Sequence, residues 1–381
     1  YKMDTMQYHS ATPEATQASY VEYNNVDFVL NVGMGRSLMR NSVRLVGEVY
    51  VSKDGTPAGV RGNAGGRSAG KVYMDYGIGI HGVIESCQVT FGNSGTKENI
   101  QNYARWVKMQ GAATFYEDDL MNASNQIELR GPTEVIASKY AKGEATLNSG
   151  DKFTNDLDFS MKPSCILNKM TGDHLPLEKS GEIRLTLNLA RNMSALMGAN
   201  QGVSATYELK NLHVTYQSVL TEGDPMKTMT QMRSVYNVKN TILSRSANIS
   251  AQVPAICDSV SCSFQRQDKE NVNVFNNYDL EMVQGIQRLQ FEFNDSTNKF
   301  ITYEESDLNA MLHRYIDSFR NTGHNQCVLD TFRSNNGFGI GLHFAGFVDL
   351  SKQRFNIQLT SDVDNTKPMN IYSYFHSVIN A

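Results

Sequence analysis

Alternation with a period of two runs through this chain, and it limits the fold more than any other feature. Residues 183–189 read Ile-Arg-Leu-Thr-Leu-Asn-Leu, with every apolar side chain at an odd position. Successive side chains of an extended strand point to opposite faces, so such a segment has one face in a core and one in water. Leu289, Phe291 and Phe293 alternate in the same way, as do Phe355, Ile357 and Leu359. So do Val43, Leu45, Val49 and Val51, and again Cys87, Val89 and Phe91. Residues 207–216 alternate with a phase slip at Asn211-Leu212, the mark of a β-bulge. Gly, Asn, Asp and Ser clusters bound these runs. Many short half-buried strands separated by turn residues specify an all-β fold of antiparallel sandwiches.

Three helical stretches interrupt the strands. Residues 96–109 place Ile100, Tyr103, Trp106 and Val107 on one helical face. Asp224-Pro225 supplies an N-cap and a first-turn proline for a short helix with Met226, Met229 and Met232 in a stripe. That stripe reads as packing, with an adaptable subunit contact as the second reading. Thr302-Tyr-Glu-Glu305 has the form of a capping box. Behind it Leu308, Met311, Leu312, Tyr315, Ile316 and Phe319 make an apolar face that ends near Gly323. A length of 381 residues is enough for two domains, each with its own core. The expected division is an N-terminal arm at 1–20, a first sandwich at 21–218, a linker with a short helix at 219–236 and a second sandwich at 237–381.

Composition excludes several functions. Charged residues are 19% of the chain and the net charge is −4. Phosphate contacts need clustered Lys and Arg, so sequence-specific nucleic-acid binding is not expected. The stretch Arg61–Lys71 carries only Arg61, Arg67 and Lys71 among glycines and reads as a loop. Within it, Gly65-Gly-Arg-Ser-Ala-Gly-Lys71 falls one residue short of a phosphate-binding P-loop, because Val72 stands where Ser or Thr would hold magnesium. The eight histidines are scattered without metal-ligand spacing. Glu117-Asp-Asp119 and Asp362-Val-Asp-Asn365 read as solvated loops; the second lacks the Gly and distal Glu of an EF-hand. Cys87, Cys165, Cys257, Cys262 and Cys327 are odd in number and contain no Cys-x-x-Cys, so free thiols are expected. No apolar run approaches the roughly 20 residues of a membrane span, and no signal peptide is visible. The first residue is Tyr1 and not Met, which is compatible with trimming of an N-terminal piece. No catalytic, cofactor-binding or metal residue is assigned, and no cofactor is expected.

Several stretches resemble one known family. In the first half they are Leu38-Met-Arg-Asn-Ser-Val-Arg-Leu45, Tyr73-Met-Asp-Tyr-Gly-Ile-Gly-Ile-His81, Ile84-Glu-Ser-Cys-Gln-Val-Thr90 and Asn102-Tyr-Ala-Arg-Trp-Val-Lys-Met109. Asp158-Phe-Ser-Met-Lys-Pro163, Cys165-Ile-Leu-Asn168 and Gly181-Glu-Ile-Arg-Leu-Thr-Leu187 follow. In the second half they are Gly337-Phe-Gly-Ile-Gly-Leu-His-Phe344, Phe355-Asn-Ile-Gln-Leu-Thr-Ser361 and Pro368-Met-Asn-Ile-Tyr-Ser-Tyr-Phe375. Together they resemble the double jelly-roll major capsid proteins of the lineage that joins adenovirus, tailless membrane-containing phages, virophages and polinton-like viruses. Virophage and polinton-like members are the most similar in appearance, and Ala104 departs from an Asn-Tyr-Pro-Arg run expected there. The resemblance implies two consecutive eight-stranded antiparallel jelly rolls per subunit and a pseudo-hexagonal homotrimer. It also implies an icosahedral shell around a DNA genome, located in the virion and assembled in the host cell. Implied partners are further copies of the chain, penton or vertex and minor capsid proteins, and an internal membrane reached through the N-terminal arm. Trimer contacts are expected in the 96–109 helix and near Asn192–Gln201.

Two other readings stay open. A carbohydrate-binding sandwich would need a cleft with stacking aromatics, and a hydrolytic one two carboxylates about 5–10 Å apart. Trp106, the single tryptophan, sits in a helical pattern among Lys and Arg, which speaks against an aromatic platform. A minor or vertex capsid protein would more naturally have one jelly roll.

Overall fold

A computed structural model of the chain describes residues 6–53, 56–57, 60–62, 72–75, 77–111, 127–130, 156–198, 205–225, 230–243, 245–272, 276–294, 299–321, 327, 329–333, 337–361 and 367–380. The alternating segments are strands, and they fall into two sets of eight strand positions with one topology. In the first half these are β1 (Met6–Ala11), β2 (Asn25–Leu30), β3 (Arg36–Met39) with β4 (Arg44–Lys53), β5 (Ile84–Phe91), β6 (Gly95–Gln101), β7 (Asp156–Met161) with β8 (His174–Pro176), β9 (Ile183–Leu189) and β10 (Ala205–Leu220). One sheet runs β1, β10, β3/β4, β7/β8, and the facing sheet runs β2, β9, β5, β6. The second half repeats the order with β11 (Gln231–Ile242), β12 (Ser246–Ala251), β13 (Ile256–Arg266), β14 (Ile286–Asn294), β15 (Lys299–Glu305), β16 (Ile340–Asp349), β17 (Arg354–Ser361) and β18 (Met369–Asn380). Its sheets are β11, β18, β13, β16 and β12, β17, β14, β15. In both halves strand positions one, eight, three and six form one sheet, and two, seven, four and five form the other. That interleaving, antiparallel throughout, is a jelly roll.

The alternation dictates which faces pack. In β9 Ile183, Leu185, Leu187 and Leu189 are buried, and Arg184, Thr186 and Asn188 are half-buried between them. The phase slip at Asn211-Leu212 is a bulge: β10 shifts register against β4 between Lys210 and His213, and Asn211 adopts φ +52°. β14 departs from the simple pattern, because Gln290 and Glu292 are buried along with Leu289, Phe291 and Phe293. Both of its faces are covered.

Several element boundaries differ from the sequence reading. The stretch 96–109 is not one helix: residues 95–101 are strand β6, Asn102 at φ +51° breaks the chain direction, and helix α1 spans Tyr103–Gly111. Ile100 is therefore a buried strand residue that falls by coincidence on the helical period. The motif Thr302–Glu305 continues β15, and the N-cap of helix α2 (Leu308–Ser318) is Asp307, which accepts from the N–H groups of Asn309 and Ala310 at 2.8 and 2.9 Å. Met232 is a fully buried residue of β11; Met226 and Met229 lie outside the described residues. The region expected to be an N-terminal arm supplies β1, which pairs with β10 from Met6↔Val219 to Ala11↔Val214, and Tyr20 is buried against the same sandwich. The connection between the halves, 221–230, is shorter than the expected 219–236, because β10 and β11 each extend into it.

Candidate functional site: the seam between the jelly rolls

The two helices occupy equivalent places, each between the fifth and sixth strand positions of its jelly roll. They meet at the boundary between the halves, where the Trp106 and Phe319 rings stack at 5.9 Å. Trp106 also packs on Tyr374 at 5.3 Å and edge-on against His376 at 5.2 Å, and the Lys169 ammonium sits 4.7 Å from its ring. Trp106 has no exposed surface. It is the centre of the seam and no ligand platform. Residues 103–109 are all buried within the subunit, so α1 does not offer the subunit contact expected of it.

A helix buried on every side must satisfy its charges internally. Arg105 donates to the backbone carbonyls of Asp279 (3.0 Å) and Asn277 and to Gln265 Oε1, with its guanidinium 4.2 Å from the centre of the Tyr372 ring. Lys108 Nζ lies 2.9 and 3.0 Å from the two Asp75 oxygens, and Asp75 Oδ2 also accepts from Asn276 Nδ2 at 2.6 Å. Tyr278 donates to the Gly82 carbonyl and Tyr374 to the Asn102 carbonyl, at 2.8 and 2.9 Å. Apart from the Lys108–Asp75 pair, which lies within the first jelly roll, each of these bonds crosses from one jelly roll to the other. Within the first jelly roll Gly79, at φ +54°, lies so close to the Glu128 carbonyl that a Cβ would meet it at 2.3 Å, so only glycine lets the 128–130 segment pack there. The buried side chains of both halves form one continuous core. Packing and hydrogen bonds therefore join the two jelly rolls through one interior.

Among the described residues, the Ser261–His376 pair, His81 and three of the cysteines are held in forms poorly suited to catalysis. Ser261 Oγ lies 2.7 Å from His376 Nε2, with Asp258 on the same strand as Ser261. All three are at most 2% exposed, and burial drives His376 down to about 3, so it is a feeble base. Asp258 is occupied by Arg233 and Asn321, at 2.5 and 2.9 Å. His81 sits between Tyr103 OH (2.9 Å), Glu128 (3.2 Å) and Arg130 (3.0 Å), beside a cavity of about 380 Å³ under the end of α1. Burial lowers its pKa, and it serves to tie α1 to the 128–130 segment. All five cysteines are buried and free. Burial pushes Cys257, Cys262 and Cys327 up to about 12, which removes the thiolate needed for nucleophilic chemistry. Among the described residues no group of three or more His, Cys, Asp or Glu could hold a metal ion, and no helix is long and apolar enough to cross a membrane. The 65–71 loop and the acidic clusters 117–119 and 362–365 lie outside the described residues.

No family model matches the chain, and no curated protein matches it. Solved structures do match. PBCV-1 VP54, as fitted into a cryo-EM reconstruction of the virophage Sputnik, aligns with a TM-score of 0.57 at 12% identity, over 100% of this chain and 96% of that one. The Faustovirus major capsid protein aligns at 0.55 and 8% identity, over 100% and 91%. The mavirus major capsid protein aligns at 0.53 and 9%, over 99% and 87%. Identities this low establish the fold alone: this chain has the double jelly-roll fold. The alignments run nearly end to end through both jelly rolls.

Proposed function

We propose that the chain is a major capsid protein whose function is geometric and not catalytic. The observation that carries this reading is the repeated jelly roll locked into one block by the Arg105–Trp106 seam. A homotrimer of such a subunit closes by three-fold rotation through heterologous contacts and presents six similar blocks around its rim. A pseudo-hexagonal outline tiles a surface, and an icosahedral shell follows when other proteins close the vertices. Low charge suits the work, since the centres of protein interfaces are depleted in charged residues. The end-to-end likeness to major capsid proteins of a virophage and of other viruses supports the same reading. Partners are further copies of the chain, vertex and minor capsid proteins, and a DNA genome enclosed without sequence-specific contacts. The division that suits this role is two jelly rolls joined at 221–230, with β1 inside the first. Negative-stain images of the purified protein should contain particles of hexagonal outline with a three-fold axis; fields of single two-lobed particles would overturn the proposal.

A further inference from the structure

The cavity under the end of α1 differs from the rest of the interior, because the charges around it do not balance. Its volume of about 380 Å³ falls within the range of small-molecule sites. Among the described residues that line it, Arg130, Lys162 and Lys169 are cationic and Glu128 alone is acidic. His81 adds no charge, since burial lowers its pKa. Glu128 is already shared: it pairs with Arg130 at 2.9 Å and accepts from His81 and from the Lys162 backbone N–H at 3.2 and 3.0 Å. Three cations against one carboxylate leave a surplus of two positive charges. Among the described residues neither lysine ammonium donates a hydrogen bond. Lys169 rests over the Trp106 ring at 4.7 Å, and burial pushes its pKa down to about 8 against the pull of Glu98. Burial, with Arg44 nearby, lowers Lys162 as well. An anion in the cavity would favour the charged form of both.

Asn168, in the same wall, supplies the second observation. It is 9% exposed, so its amide is withdrawn from solvent. Its Nδ2 donates to the Val43 and Pro163 carbonyls at 3.0 and 2.8 Å, which fixes the orientation of the amide. Its Oδ1 has no donor among the described residues. Buried acceptors are nearly always paired, so a donor at this place has a site prepared for it. The wall itself is held in position, with the Ser164 N–H on Tyr103 OH at 2.8 Å and the Ser164 hydroxyl on Gln110 Oε1 at 2.6 Å. α1 ends there at Gln110 and Gly111, and the negative end of its dipole disfavours an anion that has lost every proton.

We propose that this cavity binds inorganic phosphate as a hydrogen phosphate ion. Its ionised oxygens accept from Lys162 and Lys169, and its remaining P–OH donates to Asn168 Oδ1. Competing ligands answer one half of the site and not the other. Sulfate and carboxylates carry no proton at neutral pH, and neither does the phosphodiester of a nucleic-acid backbone. A neutral sugar or a water molecule would leave the cations unanswered, and a metal ion would be repelled by them. The inference stands on the cavity alone, so it can hold or fail whether or not the protein builds a shell.

Titration calorimetry on the full-length protein at pH 7 tests it, with sodium phosphate as the probe and sodium sulfate and dimethyl phosphate as controls. Phosphate should bind with a Kd of about 1 mM or tighter, and each control at least about tenfold more weakly. Lys162→Met and Lys169→Met should each weaken phosphate about tenfold or more. Lys162→Met separates binding from folding, because its half-buried ammonium holds no hydrogen bond in the fold: its melting temperature should stay within about 1 °C of the unsubstituted protein's. The proposal is overturned if phosphate does not bind. It is equally overturned if sulfate or dimethyl phosphate binds as tightly as phosphate, or if either lysine variant binds phosphate as the unsubstituted protein does.

Discussion

Replacing Arg105 by alanine removes the most densely connected side chain of the seam. Its guanidinium is 3% exposed and donates to three acceptors on the second jelly roll, at Gln265, Asn277 and Asp279. Each buried acceptor left without a donor costs about 1–3 kcal/mol, and partial entry of water lowers the sum. A total of about 3–5 kcal/mol is the range for breaking a buried charged network by removing one partner. Unfolding entropy of about 2.1 cal/mol/K per residue over 381 residues converts that loss into a melting shift of about 4–6 °C, provided the whole chain unfolds together. Differential scanning calorimetry at one fixed protein concentration is the assay, since association adds to apparent stability. The unsubstituted protein should give one transition, and Arg105→Ala one transition displaced downward. Two well-separated transitions in the unsubstituted protein, or a displacement within about 1 °C, would refute the single-block account.

Three further outcomes follow from local structure. Thiol titration should find all five cysteines unreactive in the native protein and five reactive after denaturation without reductant, because each is buried and free; fewer than five would reveal a disulfide. Burial raises Asp279 from its usual value to about 6. The folded state then holds a proton that the unfolded state releases between about pH 4 and 6, so this carboxyl's contribution is largest below that window and is lost as pH rises through it. Asp279→Asn should therefore raise the melting temperature at pH 7–8, with a ceiling of about 3 kcal/mol, and flatten the profile between pH 4 and 6; an unchanged profile would show that the carboxyl is solvated. Asp307→Ala should cost about 1 kcal/mol in urea unfolding, because two N–H groups of α2 lose their acceptor, and no loss would mean that the cap is not formed.

The sequence made the strands legible wherever one face was apolar. Ile183–Leu189 alternates without exception and is a strand with those bounds. The bulge was legible because Asn211 breaks the phase and tolerates positive φ. β6 was hidden because its inward positions carry Glu98 beside Ile100, and a buried glutamate reads as polar. Thr302-x-x-Glu305 has the spacing of a capping box, but its residues belong to a ladder with β14, and helix α2 takes the next available acid, Asp307. The seam was not legible at all. Arg105 and Lys108 look like the solvent face of a surface helix, and only the second jelly roll, more than 150 residues away in sequence, supplies Gln265 and Asn277 to bury Arg105.

The trimer is the claim on which the shell depends, and light scattering combined with thermal melts tests it most directly. Across about a hundred-fold range of protein concentration, the scattering mass should be that of three chains and the melting temperature should rise with concentration. Added salt should matter little, because screening acts on exposed ion pairs. A folded species of single-chain mass, with a melting temperature indifferent to concentration, would contradict the capsid account.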